Sequence, residues 1–417
     1  MNYRIIPVIA STAVVFAITQ AAFGQESEGI RTIDPAELHV LSDHSARQAL
    51  GVTATFGQAE SQSAAASGSA SLPLWSYQVT AAQNKRGYTG SIVGASPLSS
   101  TKTTTSVPVV LIPVILKITQ GNAVYTFDPT AGDAGCLGSG NTAFGLTQES
   151  PLFNNANFTI NGVSVGDTQY SDAFLRGEFW HYVMNSGYHL RLTASKMAPL
   201  TIQVSAGPYG NSTAEVYGLG GTQCGSNSFT NPHAKIGVIN LNTVDALLQS
   251  YISANNLNAS QFPFFVLYNA VMSEGPADNL NYCCVLGYHN ALGNPGQTYG
   301  IAEFEGRDQT VFSGVSDVAA ASHEINEWIN DPNGGNPTPA WGNIGQVSGC
   351  QSNFEVGDPL SGTLMPSVSI NGFTFHVQEL AFFSWFYGGT SVGAGGKYSS
   401  NGTFNGAAKL CPPGGSN

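Results

Sequence analysis

The chain has 417 residues, only 10% of them charged, with a formal net charge of −12. That balance argues against a nucleic-acid partner and leaves no basic tract for an anionic membrane surface. Scarce charge beside 49 glycines favours many short strands and turns over long exposed helices, whose outer faces are usually rich in Glu and Lys.

Residues 1–24 read as a signal peptide. Arg4 supplies a basic start, Ile5 to Ile18 an apolar run, and Ala22-Phe23-Gly24 the small residues a signal peptidase reads. The run is short for a bilayer span, and polar Gln25-Glu26-Ser27 follows at once. The mature chain is therefore expected to be secreted, extracellular or periplasmic, with no stable membrane insertion after cleavage. Six cysteines in an exported chain suggest up to three disulfides. Neighbouring Cys283 and Cys284 are expected to bond to different partners, and without a C-x-x-C pair a cysteine metal cluster is not indicated.

Residues 25–105 form an uneven segment, either a linker or a removable pro-segment. It holds an acidic stretch (Glu26 to Glu37), a Ser/Ala/Gly-rich tract (Ala59 to Ser71) and a Ser/Thr run (Ser99 to Ser106). Trp75 to Thr80 offers one edge strand. A β-rich part follows over residues 106–234, opening with a buried strand from Val107 to Ile118 that contains Pro108 and Pro113. Asn161-Gly162 signals a hairpin, and Tyr170 to Met184 reads as a helix with core aromatics.

Residues 235–417 are more regular. Ile236 to Leu241 is a strand, and Asn242 or Thr243 can cap a helix that ends near Asn255. Pro263 to Asn269 is a second strand, and Tyr299 to Phe304 alternates like an exposed or edge strand. Ser316 is expected to cap a helix from Asp317 to Asn330, stopped by Asp331-Pro332-Asn333-Gly334-Gly335. The fold class is α+β, a mixed sheet packed by helices behind a β-rich N-terminal part.

That last helix carries His323-Glu324-Ile325-Asn326-Glu327. Residues four apart share a helical face, so His323 and Glu327 can hold one ion. In an H-E-x-x-H site the intervening Glu polarises metal-bound water, and Glu324 has that place. A carboxylate at the second ligand position is acceptable to zinc, although it cancels charge on the ion and makes bound water less acidic. Few charges lie elsewhere on the helix, so burying three ionisable groups there would be costly unless they are paired or bind a metal. About 30 residues on, Glu355-Val356-Gly357-Asp358 offers two carboxylates, either of which could be the third ligand. Cys350, if bridged, could pin that loop near the helix.

His323-Glu324-x-x-Glu327, Asp331-Pro332, Trp341 and Glu355-Val356-Gly357-Asp358 together resemble a set of secreted proteins with the pattern H-E-x-x-E, D-P, W and E-[IV]-G-D. The set includes the plant phosphate-induced (Exordium-like) proteins and bacterial secreted proteins of unassigned activity. Gly287-Tyr288-His289, Val377-Gln378 and Trp385 fit the same resemblance, which covers roughly residues 235 to 390. It implies a zincin-like metallopeptidase fold. Many members have a cysteine after E-[IV]-G-D, where this chain has Pro359, so no disulfide pairing carries over.

The resulting expectation is a secreted zinc peptidase. His323, Glu327 and Asp358 or Glu355 would bind zinc, and Glu324 would be general base toward a peptide or protein substrate. One alternative is a non-catalytic exported scaffold that binds a cell-surface or extracellular partner. Another is a structural calcium site, since oxygen ligands dominate. On the zincin analogy Tyr299 to Phe304 would be the edge strand to which substrate adds, flanked by Glu303 and Glu305. His289 is read as structural, and His376 with Glu379 as neighbours of the site set among core phenylalanines. His181, His189 and His233 have no partner pattern. Gly389-Thr390-Ser391-Val392-Gly393 matches a nucleophile elbow only if a strand precedes it and a helix follows.

Overall fold

The computed structural model describes residues 30–41, 71–99, 103–224, 234–293 and 296–412. The signal segment, most of the Ser/Ala-rich tract and His233 lie outside them. The fold is α+β, and strand outweighs helix. Its organising element is one long strand, Thr104–Gln120, whose β-branched residues suit a pleated surface packed on both faces. Side chains alternate along a strand. Val107, Val109 and Leu111 accordingly enter one core, and Val110, Ile112, Val114, Leu116 and Ile118 enter the other.

The long strand curls because its partners change part-way. Its first half pairs in parallel with His189–Lys196 and Phe262–Tyr268. Its second half pairs in parallel with Leu200–Ser205 and antiparallel with Ala123–Phe127. Pro113 sits at the changeover, between Leu111 (the last residue on His189–Lys196) and Val114 (the first on Leu200–Ser205). A residue without an N–H is tolerated where a ladder is interrupted. The order continues outward from Phe262–Tyr268 to Gly296–Phe304, in parallel, and then to the antiparallel strand Gly287–Gly293.

A second sheet runs Arg31–Ile33, Ala214–Leu219, Lys235–Asn240, Ala270–Ser273, Cys283–Val285. Strands from residues 106–234 and 235–417 thus pair with each other in both sheets. The described part of the acidic N-terminal stretch, from residue 30 on, is docked. Arg31–Ile33 lies parallel to Tyr217–Leu219, and Asp34 closes a capping box on the turn Pro35–Glu37.

Several local expectations need correction. Asn240, not Asn242 or Thr243, caps helix Leu241–Ala254, because its side chain accepts from the Thr243 N–H. Ser316 does not cap the next helix, which spans Ala319–Asn330 without a side-chain cap; Asp317 Oδ1 accepts the Val318 N–H instead. The helix expected over Tyr170 to Met184 breaks at Phe179 into Tyr170–Glu178 and Trp180–Val183. Asn161-Gly162 does turn a hairpin, with both residues at positive φ.

Tyr299 to Phe304 is an interior strand with a neighbour on each side, so it cannot accept an added peptide. Glu303 and Glu305 flank no cleft. Both are buried on Arg307, whose guanidinium lies 3.2 Å from Glu303 and 2.8 Å from Glu305. Cys283 and Cys284 are joined to each other as a vicinal disulfide, beside Cys136–Cys224 and Cys350–Cys411. Cys350 therefore tethers the C-terminal segment and does not pin the acidic loop to the helix.

Candidate metal centre

Helix Ala319–Asn330 lies against strands Gly287–Gly293 and Gly296–Phe304, and all twelve of its residues are buried. Ile325, Trp328 and Ile329 join the core. Trp328 stacks on Phe262 at 3.7 Å and donates from Nε1 to Thr298 Oγ1 at 3.0 Å, which fixes the helix's rotation about its axis. That rotation turns His323 and Glu327 toward the acidic loop and Glu324 toward His289. Asp331 ends the helix, and its carboxylate accepts the Gly335 and Asn336 N–H groups.

The acidic loop is delivered by a hairpin, Pro337–Ile344 with Val347–Asn353. Trp341 anchors it, edge-on to Trp385 and Phe386 and donating to Asn353 O at 3.0 Å. The loop closes on the helix through its backbone: the Gly357 and Asp358 N–H groups donate to Glu327 Oε1 at 3.0 and 3.2 Å. Glu327 Oε2 is left 3.1 Å from His323 Nε2, which is 3.7 Å from Asp358 Oδ1. Ligands at 2.0–2.2 Å in a tetrahedron stand about 3.3–3.6 Å apart, so these three atoms are spaced for one ion.

Neighbouring groups fix the orientation of each candidate ligand. Gln378 Nε2 donates to Gly357 O at 2.7 Å, which turns Gln378 Oε1 toward His323 Nδ1 at 3.1 Å. That leaves Nε2 as the ring nitrogen facing Glu327 and Asp358. Asp358 is held by Gln346 and, at 2.8 Å, by Gln351. An imidazole whose far nitrogen donates to a fixed oxygen, beside carboxylates that are themselves hydrogen-bonded, is the usual outer support of a metal ligand.

Glu355 and Asp358 do not compete for one position. Asp358 groups with His323 and Glu327, whereas Glu355 groups with Glu327 and His289, with the candidate ligand atoms of each group within 4.8 Å of one another. His289 was read as structural, yet its ring is fully buried at the site, with Nδ1 3.6 Å from Glu324 Oε2 and 4.0 Å from Glu327 Oε2. Gly287-Tyr288-His289 within the resemblance was the one available signal for it. Gly287 itself is required, because a Cβ there would stand 2.7 Å from Glu324 Cγ.

Comparisons with protein-family models, curated proteins and solved structures gave no match. The site therefore has to be understood from its own geometry.

A cleft of about 210 Å³ reaches the centre, lined by His323, Glu324, Gly287 and Gln378 with Val40 and Leu41. Leu41 N donates to Cys284 O at 2.7 Å, so the N-terminal segment borders the opening. The remaining candidates lie apart from the centre. His376 pairs with Asp317 at 2.6 Å, and that carboxylate holds its pKa above the usual imidazole value. Glu379 accepts from Ser399, Asn401 and Thr403. His189 pairs with Asp172 at 2.7 Å. Phe383–Tyr387, before Gly389-Thr390-Ser391-Val392-Gly393, is a short helix and not a strand. Ser391 Oγ donates to Lys397 O, so no nucleophile elbow forms.

Proposed function

We propose that this is an exported metal-dependent hydrolase acting on peptides, with zinc held by His323, Glu327 and Asp358. The observation that carries the reading is the convergence of one imidazole nitrogen and two carboxylate oxygens, 3.1 and 3.7 Å from that nitrogen, beside a cleft that Glu324 also lines. An imidazole ligand and close spacing favour zinc over calcium, which takes six to eight oxygens. Three protein ligands leave a position open, the arrangement of a catalytic rather than a structural zinc site. The H-E-x-x-E and E-[IV]-G-D resemblance supports a zincin-like scaffold. Three disulfides and the leader-like residues 1–24 support export.

Bound zinc would supply Lewis-acid polarisation of the attacked carbonyl and acidify the attacking water. Glu324 would serve as general base toward the attacking water and as the acid for the leaving amine. Gln378 keeps His323 in the tautomer that offers Nε2, and the Gly357 and Asp358 amides keep Glu327 turned inward.

The test is zinc content and casein or peptide hydrolysis for the wild type and Glu324→Gln. Both should hold zinc, with hydrolysis in the wild type alone. Zinc binding without hydrolysis of any peptide by the wild type would overturn the enzyme and favour an exported scaffold that binds an extracellular partner.

A further inference from the structure

We infer that the centre is built for two divalent cations bridged by Glu327, the second held by His289, Glu327 and Glu355. The inference rests on the first position being a metal site, and it adds a ligand set on the other side of the same carboxylate. His289 and Glu355 have no role in the single-ion reading, yet both are fully buried beside it.

His289 presents its two ring nitrogens to different partners. Its Nε2 lies 3.1 Å from the Asp331 carbonyl oxygen, which can only accept, so Nε2 carries the proton. Its Nδ1 lies 3.6 and 4.0 Å from carboxylate oxygens of Glu324 and Glu327. An imidazole nitrogen and two carboxylates gathered in one buried place are a donor set that a divalent cation can take up. Glu355 completes the set, with Asn353 Nδ2 donating to its Oε1 at 2.8 Å and His289 Nδ1, Glu327 and Glu355 within 4.8 Å of one another.

The outer support of the first position recurs at the second. At the first, His323 donates from its far nitrogen to the Gln378 carbonyl oxygen, and Gln351 holds Asp358. At the second, His289 donates to a backbone carbonyl and Asn353 holds Glu355. Glu327 is common to both groups: the loop amides hold its Oε1, and its Oε2 lies 3.1 Å from His323 Nε2 and 4.0 Å from His289 Nδ1. Mixed nitrogen and oxygen ligands suit zinc or a similar first-row divalent ion at both positions. A bridging carboxylate with ions a few ångströms apart is the layout of two-metal hydrolases, in which one ion can hold the nucleophile and the other the scissile group.

Metal content of the purified full-length protein, measured after zinc saturation and removal of excess, tests this. The wild type should hold two equivalents, His289→Ala and His323→Ala one each, and Glu327→Ala none, with circular dichroism confirming folding. Wild type saturating at one equivalent, or folded His289→Ala retaining two, would overturn it. Should a variant fail to fold, anomalous scattering from wild-type crystals decides: two peaks flanking Glu327 Oε2 support the proposal and a single peak refutes it. One equivalent with hydrolysis would refute only the second ion. Two equivalents without hydrolysis would refute only the peptidase.

Discussion

Gly357 lies so close under the imidazole of His323 that a Cβ on the glycine would stand 2.5 Å from Nδ1. The glycine's own backbone is in the right-handed helical region (φ −87°, ψ −38°), so alanine is excluded by the ring and not by conformation. The same residue donates its N–H to Glu327 and its carbonyl accepts from Gln378. Its small size therefore allows His323, the Glu327 carboxylate and the Gln378 amide to meet.

Gly357→Ala is expected to push His323 off its ligand position while leaving the sheets intact. Displacing outer support usually weakens metal affinity about 10–100-fold. Competition with a zinc chelator should show that loss, with a circular dichroism spectrum like the wild type's. Unchanged affinity would show that His323 is not a ligand.

How much of this was legible in the sequence differs from residue to residue. The i, i+4 spacing places His323 and Glu327 together because local helix geometry dictates it. The approach of Glu355 and Asp358 was only suggested, since it depends on a hairpin anchored by Trp341. His289 was missed because it reaches the centre from a neighbouring strand, and sheet neighbours leave no spacing signal. Tyr299 to Phe304 looked exposed because Glu303 interrupts the apolar pattern. The ion pair that makes its burial tolerable is with Arg307, just beyond the strand. The vicinal disulfide was unreadable because pairing depends on which cysteines the fold brings within reach.

That buried cluster makes a second prediction. Arg307 carries both Glu303 and Glu305, and all three side chains are inaccessible to solvent. Arg307→Met would leave two buried carboxylates facing each other. Removing one partner from a buried ion pair costs about 3–5 kcal/mol, so urea unfolding should show a loss of that order. Replacing all three residues with apolar ones should recover much of it, because the desolvation cost then disappears. A loss below about 1 kcal/mol for Arg307→Met would contradict the account.

The Cys350–Cys411 bridge closes a loop with a sequence separation of 61 and ties the C-terminal segment to the hairpin that delivers the acidic loop. Loop-closure entropy puts its stabilisation at about 4 kcal/mol. Cys411→Ser paired with Cys350→Ser should lower the unfolding midpoint accordingly. Zinc affinity should fall less than in Gly357→Ala, because the bridge supports the hairpin and touches no ligand. Equal losses of affinity would mean that the tether itself positions Asp358.

The last prediction concerns pH. Glu178 is fully buried at the end of helix Tyr170–Glu178, and burial pushes its pKa up to about 8. Its Oε1 accepts the Phe383 N–H, while Oε2 has no hydrogen-bond partner among the described residues. An unfolded glutamate titrates near 4.3. Between that value and about 8 the native state holds a proton that the unfolded state has lost. Stability contributed by this group is therefore complete below about pH 4 and declines as pH rises, by up to about 1.4 kcal/mol per pH unit. Above about 8 the native carboxyl has also ionised and the slope flattens. Glu178→Gln keeps an acceptor for the Phe383 N–H and cannot ionise. Its stability should match the wild type's near pH 5 and exceed it by a few kcal/mol at pH 9, read from urea unfolding at pH 5, 7 and 9. If the two proteins lose stability in parallel across that range, Glu178 is not the group that titrates.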